Sequence, residues 1–418
     1  MHNRSATAKL LLGLALLMSP TQASPQVPLA LSPPVHHLDS LAREPMVVEH
    51  PSGTLFVSGY GSQVTGVDPN VPPLLWKSSD GGQTWGAVNV GTAADGAAGN
   101  SDVDLAVAPD GTLYFLAMGF DRSMREGTHI AIGVSHDIGS RWNWTRLSQT
   151  RFDDRPWVSI APDGTAHVIW NDDRGVSYAT SRDRGETWTE HERIHHEGGS
   201  SHLAVGPSGE VAVRISPIAA SANRFAEGVD LIAVSADGGA TWKKLDAPGE
   251  RLWDPTFSNP SAIPRWVEPL AWAPDGALIS LWSEGSVVRL ARSEDHGTSW
   301  KIWTVAEEGV PAYFPYLVAS ASGELAATWF TGSGEAMAAN LARIAIPKRD
   351  DEELAVGRTA PFQIDAWAEA EVEAPERTPA GEYIPVLFLA DGRLGVAAPV
   401  QDIARDRWGF TWWTSAKP

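Results

Sequence analysis

The chain contains no cysteine among its 418 residues, which excludes disulfides, a cysteine nucleophile and thiolate metal sites. It also lacks the cysteine that would carry a lipoprotein's lipid. Basic residues are scarce, since 32 Lys and Arg face 51 Asp and Glu for a net charge of −19. Phosphate binding requires clustered Lys and Arg, so we expect no nucleic-acid partner.

Long apolar runs are also scarce, and the only candidate lies at the N-terminus. Leu10–Met18 is apolar, follows the basic residues Arg4 and Lys9, and is too short to span a bilayer. Small residues then lead to a cleavage site after Ala23, so residues 1–23 are predicted to be a secretory signal peptide. We expect a periplasmic or secreted protein with residues 24–418 as one domain, no membrane insertion and a monomeric state.

A motif of the form Ser-x-Asp-x-Gly-x-Thr-Trp occurs five times, with Arg141 and Ser299 replacing the Thr in two copies. The Asp can accept backbone N–H groups of its own turn, and the Gly supplies a positive φ without steric cost. We call these motifs the box turns and predict a structural role for their acids. They span Ser78–Trp85, Ser135–Trp142, Ser181–Trp188, Ser235–Trp242 and Ser293–Trp300.

A second repeat alternates with the first: an apolar strand, a Gly-containing turn, and another apolar strand. A box turn follows each of the first five of its seven copies. The seven copies are Val47–Tyr60, Val103–Met118, Trp157–Trp170, Leu203–Ile215, Leu270–Trp282, Leu317–Trp329 and Val386–Ala397. Two hairpins per unit predict four-stranded antiparallel blades, hence an all-β propeller with seven blades, or six as the alternative.

The seventh unit shows only three strands before the chain ends. The apolar segment Gln26–Ser32 precedes the first unit, and we expect it to add the missing outer strand beside Phe410–Ser415. The acid-rich stretch Arg349–Glu382 is the least propeller-like part. We expect it to be a long connection on the ligand face, either a lid or a solvated loop.

The box turns resemble the Asp-box, or BNR, repeat of the sialidase-like propellers, and the resemblance spans nearly all of the chain after residue 23. It implies a glycosidase of sialidase type or a binding propeller without activity. Sialidases of this type have an arginine triad on the substrate carboxylate, a Tyr–Glu nucleophile pair and an Asp acid/base. Six blades are usual among them, so seven units depart from the family pattern.

In a four-stranded blade the first and third turns share one face, so the box turns should lie opposite any central site. Inner strands start on that other face, where side chains converge on the central channel. Candidate groups there include Glu44, Tyr60, Glu382 and Tyr383. No clear Tyr–Glu nucleophile pair can be assigned among them, because sequence neighbours on a strand point to opposite faces.

The candidate catalytic residues are carboxylates able to act as acid and base and one tyrosine able to act as nucleophile: Asp102, Asp154, Glu268 and Tyr313. The candidate substrate-binding residues are arginines for a carboxylate, with an acid and tryptophans for a sugar: Arg43, Arg155, Arg265, Trp170, Asp172 and Trp282. Alternatively, the charged groups form ion pairs lining the channel and the tryptophans pack between blades.

No phosphate-binding loop or dinucleotide fingerprint occurs, so we expect no cofactor. The nearby His191, His195 and His196 diverge on an extended segment, so we expect no metal. The predicted partner is a glycan or another acidic small ligand. The predicted function is an exported sialidase-like glycosidase, with a carbohydrate- or protein-binding propeller as the alternative.

Overall fold

The structure is a computed structural model that describes residues 28–39, 43–61, 68–219, 224–225, 229–249, 268–332, 338–347, 353–362, 367–368, 378–379, 381–402 and 407–417. The predicted signal peptide therefore lies outside the described residues. No helix in the described part of the chain has the length and apolar character needed to cross a bilayer.

Seven four-stranded antiparallel sheets form the blades, which confirms the predicted seven-bladed propeller. Strands are given from the inside of the ring to the outside. Blade 1 consists of β2 (Arg43–Glu49), β3 (Leu55–Tyr60), β4 (Leu74–Ser78) and β5 (Gly86–Ala87), and blade 2 of β6 (Ser101–Val107), β7 (Leu113–Asp121), β8 (Glu126–Ser135) and β9 (Asn143–Ser148). Blade 3 consists of β10 (Asp154–Ile160), β11 (Ala166–Asp172), β12 (Gly175–Ser181) and β13 (Thr189–Glu190), and blade 4 of β14 (Gly199–Val205), β15 (Val211–Ser216), β18 (Leu231–Ser235) and β19 (Lys243–Asp246).

The remaining blades follow the same order. Their strands are β20 (Leu270–Trp272), β21 (Leu278–Glu284), β22 (Val287–Ser293), β23 (Lys301–Glu307); β24 (Ala312–Ala319), β25 (Leu325–Thr331), β26 (Ala338–Ala345), β27 (Ala355–Arg358); and β30 (Val386–Phe388), β31 (Leu394–Asp402), β32 (Arg407–Thr414), β1 (Val35–His37). Two small sheets pair β16 (Ile218–Ala219) with β17 (Arg224–Phe225) and β28 (Trp367–Ala368) with β29 (Thr378–Pro379), and one 3-10 turn covers Ala93–Asp95.

The N-terminal segment closes the ring, but with residues later than predicted. Strand β1 pairs with β32 through Val35↔Trp412 and His37↔Phe410. Within the expected segment, Leu31 forms an isolated bridge to Ser415, and the Ser32 N–H donates to the Thr414 carbonyl at 2.7 Å. The prolines at 33 and 34 cannot donate to a ladder, so the regular strand begins after them.

The stretch 349–382 is more than a connection, which corrects the expectation of a lid or loop. Ala355–Arg358 is the outer strand of blade 6 and pairs with Ala342–Ala345. Its last residue, Arg358, donates to Glu308 at 2.5 Å. Residues 348–352, 363–366, 369–377 and 380 lie outside the described part of the chain.

The box turns form the hydrogen bonds that their residue types predict. In the fourth copy, Ser235 Oγ donates to Asp237 at 2.7 Å, and Thr241 donates to the same carboxylate through its N–H at 2.8 Å and its hydroxyl at 2.6 Å. Donation from Thr241 holds the pKa of Asp237 at about 2. Every oxygen of this acid is therefore engaged in its own turn.

Tryptophans and aliphatic residues fill the space between blades. Trp76, Trp170, Trp282, Trp329 and Trp412 are among the largest fully buried side chains. Apolar clusters of this kind, formed between neighbouring blades, hold the ring together because each blade can bury its faces only against the next.

We expect removal of residues 1–38 to destabilise the folded chain, because it deletes β1 and exposes the edge of β32. A chain that begins at Pro28 keeps β1 and serves as the control. Thermal unfolding followed by circular dichroism should show a clearly lower melting temperature only for the longer deletion. Equal melting temperatures would contradict the closing role of β1.

We expect Asp237→Ala to lower the melting temperature by about a few degrees, because Ser235 and Thr241 lose their shared acceptor. Ligand binding at the channel should survive, since the box turns lie on the opposite face. Asp246→Ala, at an exposed position on outer strand β19, is the control. A loss of binding without any change in melting temperature would overturn the structural assignment.

Candidate functional site

Three inner strands begin with the same local irregularity, an X-Pro step at a β-bulge. The register shifts between Arg43 and Met46, between Asp154 and Trp157, and between Tyr313 and Tyr316. The residue before each proline has a positive φ: 46° at Glu44, 46° at Arg155 and 51° at Phe314. Such values are costly for residues other than glycine, and bulges of this kind redirect side chains.

Blades 1, 2, 3 and 7 bring charged side chains together at this end of the channel. Arg43 interacts electrostatically with Glu44, Glu382 and Asp102, and Arg155 interacts with Glu382, Asp154 and Asp102. We call this group, together with Tyr60 and Tyr383, the funnel cluster. Four of the predicted site residues belong to it: Arg43, Asp102, Asp154 and Arg155.

An ion pair crosses the funnel between blades 3 and 7. Arg155 Nη1 lies 3.0 Å from Glu382 Oε2, and Nη2 donates to Oε1 at 3.4 Å. Asp154 Oδ2 also lies 3.9 Å from the Nε of Arg155. Both side chains of the pair are largely buried, so the pair orients Arg155 more firmly than a surface pair would.

A Glu–Tyr pair lies at the seam between blades 1 and 7. Glu44 shares a side-chain hydrogen bond with Tyr60 and also accepts the Glu382 N–H at 3.2 Å. A side chain at Gly381 would place its Cβ 2.5 Å from Glu44 Cγ, and φ there is 147°. Glycine is therefore needed where the two blades approach each other.

Burial, and then the crowding of carboxylates, raises the pKa values of three acids in the cluster. Burial raises the pKa of Glu44 to about 8, reinforced by the negative charges of Asp102 and Glu382 and opposed by Arg43. Burial likewise raises the pKa of Asp154 to about 7, although Arg155 opposes the shift. The pKa of Glu382 is also raised, and burial is again the largest cause. Glu44 therefore holds a proton at neutral pH, and Asp154 is poised to lose one.

Aromatic side chains pack beside the cluster on neighbouring inner strands. Trp157 contacts Tyr383 edge to face at 5.5 Å between ring centroids and lies 5.0 Å from His202, which in turn contacts Tyr316 at 6.2 Å. Burial lowers the pKa of His202 to about 4. The charged groups of the cluster therefore adjoin buried aromatic rings, a combination typical of small-molecule sites.

Two other predicted catalytic residues lie away from the cluster. Glu268 pairs with the fully buried Arg214 at 2.5 Å, and Arg214 also binds Asp230. Tyr313 donates its hydroxyl to the Gly332 carbonyl at 3.1 Å and stacks on Phe330. Both side chains are engaged within the protein, so we assign them structural roles.

The remaining predicted binding residues are also buried. Asp172 accepts hydrogen bonds from Arg193 at 2.7 Å and from Ser177 at 3.3 Å, which ties two strands of blade 3 to the segment that leads to blade 4. Trp170 and Trp282 are 2% and 1% exposed, so neither presents a ring face for a sugar to stack on. Arg265 lies outside the described residues.

The sequence placed Glu44, Tyr60, Glu382 and Tyr383 at this end of the channel, but they were not among the residues chosen as catalytic or substrate-binding. One signal could have identified Tyr60: it ends the second strand of blade 1, and the register places it opposite Arg43. Glu382 could not have been found this way, because its partners are more than 200 residues distant. Among the described residues, no three His, Asp or Glu side chains are arranged so that they could hold a metal ion.

Solved structures share this architecture. An α-L-arabinofuranosidase from Fusarium graminearum, in complex with an iminosugar inhibitor, is 13% identical with a TM-score of 0.51, covering 93% of this chain and 98% of that one. A protein of unknown function from Dyadobacter fermentans has a TM-score of 0.50 at 13% identity, over 93% and 99%. The microbial sialidase Hz136 is 18% identical over 69% and 63%, with a TM-score of 0.46.

The chain has a seven-bladed β-propeller fold. The resemblance predicted from the box turns is confirmed at that level. No family model matches the sequence, and no curated protein matches it. Because these structures are so distant in sequence, the likeness establishes the fold, and the residues of the funnel cluster must carry any functional argument.

Proposed function

We propose that the funnel cluster hydrolyses a glycosidic bond in a glycan that carries a carboxylate. The observation that carries the proposal is the hydrogen-bonded Tyr60–Glu44 pair beside Arg43, with the proton-holding Asp154 in the same cluster. Tyrosine activated by an adjacent acid is the nucleophile of sialidases, which differ in this from most glycosidases.

Arg43 is the group available to a substrate carboxylate. Its Nε is buried and has no hydrogen-bond partner among the described residues, and its guanidinium lies 5.9 Å from the centre of the Tyr60 ring. Arg155 is already engaged by Glu382, so its role is to hold Glu382 and Asp154 in place. A guanidinium fork suits a carboxylate because it donates two parallel hydrogen bonds.

Each group then has one role in a two-step displacement. Tyr60 oxygen attacks the anomeric carbon while its proton passes to Glu44 in those molecules whose Glu44 is ionised, a fraction that grows as the pH approaches 8. Asp154 donates its proton to the departing glycosidic oxygen. In the second step Asp154 takes a proton from water, whose oxygen displaces Tyr60, and Glu44 returns the proton to the phenolate. Burial raises the pKa of Asp154 to about 7, which suits a group that donates a proton near neutral pH.

The neighbours support this class of reaction without defining the substrate. The arabinofuranosidase shows that a propeller of this fold can bind an iminosugar inhibitor. We also propose that the protein acts outside the cytoplasm after loss of residues 1–23, where glycans are accessible.

Binding without turnover is the second candidate. The Arg155–Glu382 pair favours it, because the pair neutralises one of the two described arginines of the funnel without a ligand. A pure binding propeller would keep the ligand contacts of Arg43 and would show no need for Tyr60.

We expect Tyr60→Phe and Asp154→Asn each to lower kcat/KM about 100-fold or more on an aryl sialoside or aryl uronide, because each removes a proton-transfer group. Asp246→Asn, an exposed acid on the outer strand of blade 4, should retain full activity. Binding of sialic acid by calorimetry with no turnover on either substrate would support the binding propeller instead.

We expect sialic acid to bind most tightly below about pH 7 and more weakly as the pH rises toward 9. Over that range Asp154 and then Glu44 lose protons, which adds two negative charges around Arg43. Calorimetry with a neutral analogue provides the comparison and should show no such trend. Glu44→Gln should flatten the part of the curve above pH 7. Added salt should weaken binding only modestly, since a recessed pair is poorly screened.

A further inference from the structure

Each box turn packs on the preceding blade of the ring. The rings of Trp85, Trp188 and Trp242 lie 5.1, 6.3 and 5.4 Å from Phe410, Tyr114 and Tyr178 of the neighbouring blades. The box turn of blade 5 packs on blade 4, where a side chain at Gly297 would place its Cβ 3.3 Å from Leu245 and 3.7 Å from Val234. Each blade that precedes a box turn therefore provides the surface on which that turn packs. We call this surface the seat; in blade 4 it includes Val234 and Leu245.

Blade 5 has no box turn to receive, because blade 6 lacks the motif between β26 and β27. The two residues of blade 5 that correspond to Val234 and Leu245 of blade 4 also differ from them in chemical type. Val234 precedes the serine of the fourth box turn and Leu245 lies three residues after its tryptophan; Arg292 and Trp303 hold the same places around the fifth. Two aliphatic residues are thus replaced by a guanidinium and an indole.

The result is an open cleft of about 570 Å³ between blades 5 and 6, on the turn face opposite the funnel. Arg292, Trp303, Lys301, Asp275 and Glu294 line it on the side of blade 5. Ser322 and Gly323 of the first turn of blade 6, with Ile346 and Pro347, line the other side. A volume of this size accommodates one or two sugar rings.

The polar groups of the cleft are held in place and balanced in charge. Arg292 Nη2 lies 3.0 Å from Asp275 Oδ2 and 3.0 Å from Glu294 Oε1, while Lys301 Nζ lies 5.0 Å from the centre of the Trp303 ring. Two cations therefore face two carboxylates, and the cleft offers no net charge to attract an ion. Oriented donors and acceptors beside an indole suit a ligand with many hydroxyl groups and apolar C–H faces.

We propose that this cleft is a second binding site that takes a neutral glycan, independent of chemistry at the funnel. Carboxylates and the guanidinium bond the hydroxyl groups, and the half-buried Trp303 supports a sugar face once the flexible Lys301 side chain moves aside. Among the described residues of the connection between β26 and β27, Ile346 and Pro347 border the cleft.

Affinity electrophoresis of the full chain tests the proposal, with arabinan, xylan, β-glucan or galactomannan cast in the gel and polygalacturonate as the anionic comparison. We expect retardation by at least one neutral polymer. Trp303→Ala and Asp275→Asn should each weaken it about tenfold, because each removes one contact class. Asp275 is an exposed acid, so its variant tests the site even where Trp303→Ala lowers the melting temperature.

Ile302→Ala is the matched control, since Ile302 is 45% exposed on the same strand and does not line the cleft. It should migrate as the unmodified chain does. Absence of retardation by every neutral polymer, retardation by polygalacturonate alone, or equal retardation of all variants would overturn the proposal. Affinity electrophoresis reports binding and does not measure hydrolysis at the funnel cluster. A failure of the proposed reaction therefore does not affect the outcome of this test.

Discussion

The antiparallel pairing of Val35–His37 with the last strand of the chain is the interaction on which the rest of the structure depends. Each blade contacts only its neighbours, and β1 places the strand that leads into blade 1 within the sheet of blade 7. Blades 1 and 7 also pack on each other through Trp76, Trp85 and Phe410. The consequence reaches the candidate site. Glu44 begins blade 1 and Glu382 precedes blade 7, so their contact exists only in the closed ring.

Closure also explains how the funnel cluster tolerates its own charges. Four carboxylates and two arginines converge there, with positive φ values at Glu44 and Arg155. Groups of this kind repel one another and strain the backbone, and they persist because seven packed blades fix the strand starts. Proton uptake at Glu44 and Asp154 relieves the repulsion. Carboxyl groups with pKa values raised toward neutral pH are typical of groups that transfer protons in catalysis.

The two faces of the ring divide stability from recognition. On the turn face, the box acids are saturated by their own turns and their tryptophans seat on the preceding blade. On the face that carries the funnel cluster, the carboxylates outnumber the arginines and lie close to one another. The cleft beside Trp303 is the exception on the turn face, and it arises where the repeat is interrupted.

The architecture could be predicted from sequence because it is repetitive and local. Each box turn is eight residues long, and its own residues specify a hairpin. Each of the seven hairpin units corresponds to one blade, so the number of units gives the number of blades. The same local reasoning placed Arg43, Asp102, Asp154 and Arg155 at one end of the channel, because inner strands start there.

Contacts between distant parts of the chain were decided only by the tertiary structure. Trp170 and Trp282 are apolar strand ends in sequence, and whether such a ring faces a ligand or a neighbouring blade depends on packing. Glu268 is committed by Arg214, and Tyr60 gains its partner through a bulge that the sequence marks only by Pro45. Local hydrogen bonds and periodicity determine the blades, whereas side-chain partners depend on the ring that brings residues 44 and 382 together.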